Sequence, residues 1–446
     1  MGKEIQPVRV SSRPHWARRT ETSVVRFAAS FFRKLGWQER IEPFVGYGAA
    51  AQTDTFTIPD SATFTLVDRA DGSSHSGGIE REEPAADVSS STPPQGWVRV
   101  LARVMVSPKK RASVFRTSAL KNKPVHQRAV RGWRSFFTVQ SPETPVFVTV
   151  GDRTFRVVAD EGGYIDVVLP STFDAGWHEV SLTLTHSLGQ AHPHHDEVVP
   201  AEQALEDAES SGSGRTLGRG GATVGVRVIG RTETMGLVSD LDDTVIVTTL
   251  PRPFLAAWNS FVMMEKARQP VPGMSELYRR LEETVDSLPV IYLSTGAWNV
   301  VPAMIRFLVR YRFPLGPMLM TDWGPTNTGF FRSGREHKER ALARLAMDFP
   351  SVKWILSGDD GQHDPVIYQE FTASRPEHVK AVAIRQLSPS EAVLSHGTTG
   401  ANPANKRAEI RGHFELPEVP VFEGEDGYAL MDRFSEYGLL NTRGTR

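Results

Sequence analysis

The sequence predicts an α/β protein: a mainly parallel sheet with helices on both faces, preceded by an antiparallel, sandwich-like β-domain. Three observations predict it. Between Trp97 and about Ile229, short alternating runs rich in valine, phenylalanine and threonine follow one another with turn residues between them. After Gly236 the pattern changes, and apolar runs alternate with helix-spaced stretches in the order strand, helix, strand. Finally, 446 residues and 49.4 kDa leave room for two or three domains, each with a full core.

The elements are justified in chain order. Residues 1–67 form an N-terminal helical, amphipathic segment. Within it Val24, Phe27, Ala28, Phe31, Phe32 and Leu35 recur at helical spacing beside Arg18, Arg19, Arg26, Arg33 and Lys34. Such a basic amphipathic helix either lies on a membrane surface or packs its stripe on a neighbouring domain. Residues 68–95 are rich in Ser, Gly, Pro and Glu and read as a flexible linker. The β-domain spans 96–230, with runs Val98 to Val106, Val146 to Val150, Phe155 to Ala159, Ile165 to Leu169, Glu179 to Thr185 and Val224 to Ile229. A low-complexity insert, near 202–222, interrupts it. The third region, 231–446, carries strands at Leu237 to Ser239, Pro289 to Leu293, Met318 to Met320, Val352 to Leu356 and Val379 to Ile384. Helical patterns fall at Ser275 to Leu288, Asn299 to Tyr311 and Glu336 to Phe349.

Composition removes several classes of function. With 51 basic and 52 acidic side chains there is no global field to attract nucleic acid or anionic lipid, so no nucleic-acid partner is expected. Zero cysteines remove thiolate catalysis, disulfides and cysteine-ligated metals, and fit a reducing compartment. No run reaches the roughly 20 apolar residues of a spanning helix, and residues 1–30 show no secretion signal. The expected location is cytoplasmic, with peripheral membrane contact through the basic helix.

In open α/β sheets ligands sit beyond the carboxyl ends of the strands. Those ends read Asp240-Leu241-Asp242-Asp243-Thr244, Ser294-Thr295-Gly296 and Gly358-Asp359-Asp360-Gly361-Gln362-His363-Asp364, and Lys338 opens the helix before the last of these. Clustered carboxylates without thiols make a hard oxygen site, suited to Mg²⁺ rather than zinc. A lysine beside them makes sense where an anionic group, most simply a phosphoryl, must be neutralised. Two aspartates two residues apart can divide the work. One carboxylate attacks phosphorus, while the other protonates the leaving oxygen and then activates water.

These residues carry a resemblance. Asp240-x-Asp242-x-Thr244, Ser294, Lys338 and Gly358-Asp359-x-x-x-x-Asp364 look like the four motifs of the haloacid dehalogenase superfamily. More narrowly, Ser239-Asp240-Leu241-Asp242-Asp243-Thr244, Tyr292-Leu293-Ser294-Thr295, Gly358-Asp359 and Asp364-Pro365-x-Ile367-Tyr368 resemble the catalytic domain of the actin-patch-associated phosphatidate phosphatase family. Gly424-Glu425-Asp426-Gly427-Tyr428 and Pro43-Phe44-Val45-Gly46-Tyr47-Gly48 are similar to segments of its bacterial members. The strong part covers about Gly236 to Leu387. The resemblance implies a Rossmann-like sheet of the haloacid dehalogenase type, with Asp240 as nucleophile and Asp242 as general acid and base. It further implies Ser294, Thr295 and Lys338 as phosphoryl ligands, and Asp240, Asp242, Asp359 and Asp364 around Mg²⁺. The chain departs from the family pattern at Thr295-Gly296, where Ser-Pro is usual, and at Asp360, where serine is commoner; neither departure replaces a proposed catalytic group.

Three other tracts are weaker candidates. His186, His192, His194 and His195 with Asp196 suit either a transition metal or an exposed loop. Pro108-Lys109-Lys110-Arg111 with Arg128, Arg131 and Arg134 suits lipid phosphates, nucleic acid or simply a solvated face. Trp258, Met263 and Met264 suit either core packing or a cap that meets a lipid tail. The expected function is a Mg²⁺-dependent phosphomonoester phosphatase acting through an aspartyl-phosphate, with a phosphorylated lipid, phosphatidate, as substrate by resemblance. A soluble phosphometabolite, a phosphoprotein, or a non-catalytic adaptor role are the alternatives.

Overall fold

The computed structural model describes residues 27–51, 64–67, 96–107, 139–184, 221–247, 268–321, 334–361, 363–388, 391 and 419–440. The histidine tract, the basic run at 108–134, the segment with Trp258, Met263 and Met264, and the expected linker and insert lie outside these residues, apart from Gly221 and Ala222 at the insert's end.

The β-domain consists of β1 (Gln38–Ala49), β2 (Phe64–Val67), β3 (Gly96–Ser107), β4 (Val139–Gln140), β5 (Pro145–Val150), β6 (Arg153–Val158), β7 (Tyr164–Ser171), β8 (Gly176–Leu184) and β9 (Gly221–Ile229). Among the described residues they form one hydrogen-bonded sheet, in the order β2-β6-β5-β8-β9-β1-β3-β4 with β7 also on β3. The sheet curls on itself. Alternate side chains turn inward, as period-two strands require, and Val98, Val100, Val146, Val148, Phe155, Val180, Leu182, Val224 and Val226 share one interior. The pairing is antiparallel except between β1 and β9, which run parallel.

β1 corrects one expectation. The helical segment expected to reach residue 67 ends early: residues 27–34 are helical, and Gln38–Ala49 is a twelve-residue strand inside the sheet. Its register on β3 shifts between Phe44 and Tyr47, which lets a single strand serve two cores. Ile41 points into the β-domain interior, whereas Phe44, Tyr47 and Ala49 belong to the core of the second domain.

That second domain contains β10 (Met235–Ser239), β11 (Ile246–Val247), β12 (Gln269–Pro270), α1 (Met274–Thr284), β13 (Val290–Ala297), α2 (Val301–Arg310), β14 (Met318–Thr321) and α3 (Gly334–Asp348), then β15 (Lys353–Asp359), α4 (Asp364–Ser374), β16 (Val379–Arg385), β17 (Val421–Gly424) and α5 (Gly427–Glu436). β11 and β12 make a small antiparallel pair apart from the main sheet. The other strands form a sheet in the order β14-β13-β10-β15-β16-β17, with every neighbouring pair parallel. The chain moves outward one way from β10 and then returns to build the other half. Right-handed crossovers therefore place the helices on opposite faces and open a crevice at the carboxyl ends of β10 and β15.

Both faces of these strands are covered, which is why they read as continuous apolar runs: Leu237, Val238, Ile291, Leu293, Ile355, Leu356, Val382 and Ile384 are all buried. The two domains meet through aromatic rings. Phe44 lies on Trp298, with centroids 4.7 Å apart, and Trp97 stacks on Phe349 at 5.6 Å. Each fully buried side chain of this size is worth about 2 kcal/mol of transfer free energy, so the β-domain is fixed to the parallel sheet.

Candidate active site

Asp240 is the first residue past β10, and its backbone N–H still donates to the Ser357 carbonyl of β15 at 2.9 Å. The sheet thereby fixes where its carboxylate points. Beneath it Ser239, Tyr278 and Ser357 form a buried hydroxyl network: Tyr278 donates to Ser357 Oγ at 2.9 Å, and the Ser239 and Tyr278 oxygens are 2.7 Å apart. The Tyr368 hydroxyl donates to the Ser357 carbonyl at 3.0 Å from the α4 side. Sequence reasoning missed this floor, because its members lie 39 and 79 residues apart and no local pattern links them.

The turn after Asp240 is tight and strained. Asp243 has φ 56°, a left-handed conformation uncommon for a residue with a side chain. Arg385, from β16, holds this turn by donating through Nη1 to the Asp243 carbonyl at 2.7 Å, and its Nη2 donates to Glu391 at 2.6 Å. Arg385 was not among the expected site residues.

Lys338, in the second turn of α3, is wholly buried and reaches two carboxylates at once. Its Nζ lies 3.0 Å from Asp240 Oδ1 and 2.5 Å from Asp364 Oδ1. Asp359 ends β15 and accepts from the Gly361 N–H through Oδ1 at 2.7 Å. Asp364 begins α4, where a carboxylate also meets the positive end of the helix dipole. Gly358 makes room for it: a Cβ at that position would lie 2.6 Å from Asp364 Oδ2.

The outcome is a group of three buried acids. One oxygen from each of Asp240, Asp359 and Asp364 lies within 4.8 Å of the others. Asp240 Oδ2, Asp359 Oδ2 and Asp364 Oδ2 are buried and have no hydrogen-bond partner. One lysine cannot balance this charge. Burial, together with the neighbouring carboxylates, raises the pKa of Asp240 and Asp359 well above the ordinary carboxylate range. Burial works against the charged form of Lys338 as well, yet Asp240 and Asp364 carry its pKa above the usual lysine value.

Asp242 stands outside that group. Ser294 Oγ, past the middle of β13, donates to Asp242 Oδ2 at 3.3 Å and accepts from the Gly296 N–H at 3.0 Å. Burial and the adjacent Asp243 push Asp242 up to about 6. Thr295 is half-buried, and its carbonyl accepts from Thr321 Oγ1 at 2.7 Å; its methyl abuts Gly334, where a Cβ would lie 2.5 Å away. The structure thus joins Asp240, Lys338, Asp359 and Asp364 directly and brings Ser294 to Asp242.

Residues 235–386 match the family model described as "Phosphatidate phosphatase APP1, catalytic domain". This segment is similar to an APP1-type catalytic domain. The match coincides with the parallel sheet from β10 to β16 and contains every acidic residue of the cluster. The chain is also 26% identical over 179 residues, 40% of its length, to "Phosphatidate phosphatase APP1" of Saccharomyces cerevisiae. It is 23% identical over 192 residues, 42% of its length, to an uncharacterized protein of Schizosaccharomyces pombe. These alignments span 30% and 31% of the two yeast proteins, so the chain matches under a third of the length of either curated relative.

Proposed function

We propose that the protein is a Mg²⁺-dependent phosphomonoester phosphatase of the haloacid dehalogenase type, and that its substrate is phosphatidate, which it converts to diacylglycerol. The observation that carries this reading is the trio of unpartnered, buried carboxylate oxygens on Asp240, Asp359 and Asp364. Buried polar atoms of this kind are rare unless something binds them. Hard, charged oxygens suit Mg²⁺, and the hydrogen bonds that fix Lys338 and Gly361 on the other oxygens hold the carboxylates in place for it. When bound, the ion supplies charge neutralisation for the transferring phosphoryl group.

The chain's own groups divide the remaining work. Asp240 attacks phosphorus through a carboxylate oxygen; the ester P–O bond breaks as the bond to Asp240 forms. Asp242, with a pKa near 6, retains enough proton to pass one to the leaving alkoxide. Asp242, now a carboxylate, then takes a proton from the water that attacks the aspartyl-phosphate, releasing inorganic phosphate and restoring Asp240. Ser294, Thr295 and Lys338 orient and neutralise the phosphoryl oxygens. Substrate class rests on the phosphatidate phosphatase domain match. Hydrolysis of phosphatidate in mixed vesicles, measured against a panel of water-soluble monoesters and phosphopeptides, tests it. Preference for phosphatidate is expected, whereas an equal or greater rate on a soluble phosphate overturns the lipid assignment, and inactivity on all of them supports an adaptor instead.

A further inference from the structure

The N-terminal helix presents an apolar stripe that no part of the catalytic reading uses. Phe27, Phe31 and Leu35 are 74%, 49% and 60% exposed, and their spacing of four puts them on one face. The opposite face is fixed to the β-domain. Ala29 is fully buried, Phe32 lies on Trp37 with centroids 4.3 Å apart, and Arg33 Nη2 lies 2.8 Å from both Ser141 Oγ and Glu39 Oε1. The helix is therefore anchored with its larger side chains turned to solvent, the reverse of what core packing produces.

Its place in the molecule follows from β1. Phe44 lies on Trp298, just past the carboxyl end of β13, while Tyr47 donates to Asp348 at 2.8 Å and lies near Phe349, beyond the far end of α3. β1 thus runs from the catalytic end of the parallel sheet toward its amino end. Traced back from Phe44 it continues six residues to Gln38, roughly 20 Å at the rise of a strand. The helix lies at that extremity, off the end of the molecule that carries the catalytic carboxylates.

Charge selects the occupant. From Arg13 to Trp37 the sequence holds six arginines and lysines and a single acid, Glu21, in a chain of net charge -1. Apolar side chains that enter an acyl boundary, flanked by cations that meet headgroups, are the features of an interfacial helix. A stable dimer needs about 800 Å² per partner and disfavours lysine, which this stripe with Lys34 beside it does not match. We infer that Phe27, Phe31 and Leu35 seat the protein on an anionic lipid surface with the catalytic end facing it. The inference deepens the lipid reading of the site and is tested without catalysis.

The probe is a phosphatidylcholine vesicle containing phosphatidylglycerol and no phosphatidate. The full chain should sediment with these vesicles and not with pure phosphatidylcholine. The triple variant F27S/F31S/L35S should lose at least about tenfold in binding while hydrolysing a water-soluble monoester as before. Because the chain lacks cysteine, Leu35→Cys and Val158→Cys each accept one polarity-sensitive fluorophore. The label at residue 35 should shift to the blue on anionic vesicles, and the label on β6 should not. Undiminished sedimentation of the triple variant, equal shifts at both labels, or a change of oligomeric state without a change in vesicle binding would overturn the inference. Loss of binding in a protein inactive on phosphatidate would sustain the surface and reject only the substrate.

Discussion

Two charge clusters in this molecule, one partly exposed between the domains and one buried past the strand ends, are built to opposite rules. Between the domains, Arg99 grips Asp166 with two bonds of 2.6 Å and donates to the Tyr47 hydroxyl at 2.7 Å. Tyr47 in turn donates to Asp348, which also accepts from Arg344 at 3.2 Å. Two cations face two anions, and although burial alone would raise it, Asp166 is held below the usual carboxylate range by Arg99. In the crevice past β10 and β15, three carboxylates share one lysine among the described residues, each leaves an oxygen without a hydrogen bond, and Asp240 and Asp359 are pushed up instead. The matched network fastens the domains. The mismatched one stores electrostatic strain that a bound cation would relieve, and its three acids could hold one.

The comparison breaks most visibly at the nucleophile. Asp240→Asn should lower turnover by at least about 10³-fold with an unchanged circular dichroism spectrum, and retained activity would remove the mechanism. Next in size is metal response. Mg²⁺ should raise the melting temperature of the wild type and leave Asp359→Asn unmoved. In chelator, by contrast, Asp359→Asn should melt higher than wild type, because it removes an uncompensated buried charge; a lower melting temperature would show that the cluster is not strained.

The same strain has a pH signature. A carboxyl with a raised pKa contributes stability while protonated, in full below its unfolded value of 3.8, and loses that contribution as pH rises through the folded value, about 6 for Asp242. The chelated protein should therefore lose melting temperature between these limits, with Mg²⁺ lessening the loss. Opposite in kind is Arg99→Ala, which should cost about 2 kcal/mol of stability in denaturant titrations and leave metal response intact. Smallest is Glu282, an exposed residue of α1 whose partly desolvated carboxyl, beside Glu283, is pushed up to about 7 from 4.5. By the same sign its contribution fades as pH rises through 7, and Glu282→Gln should flatten that part of the melting-temperature profile slightly.

Much of the catalytic sheet was legible in the sequence. Val352 to Leu356 was expected and Lys353–Asp359 is observed; Asn299 to Tyr311 was expected and Val301–Arg310 is observed. Strands buried on both faces announce themselves as apolar runs, and the acids stand where those runs stop. β1 was not legible. Its sequence, Gln38–Ala49, mixes charges with Pro43 and two glycines because its side chains divide between two cores. Gly46 lies so close to β3 that a Cβ there would be 2.3 Å from the Arg99 carbonyl, a constraint set by a strand 53 residues away. The parallel pairing of β1 with β9 and the Arg385 bond to the Asp243 carbonyl are equally non-local. Thus the sequence singled out Asp240, Asp359, Asp364 and Lys338, which the fold brings together, but not the floor beneath them, the Arg385 bond or the charge imbalance among the described residues.

The most direct test is to quench the enzyme in acid during turnover with Mg²⁺ and map phosphorylated peptides by mass spectrometry. The account predicts an acid-stable, hydroxylamine-sensitive phosphoryl group on the peptide carrying Asp240, absent from the Asp240→Asn variant. A fully active enzyme with the label on any other residue would contradict it.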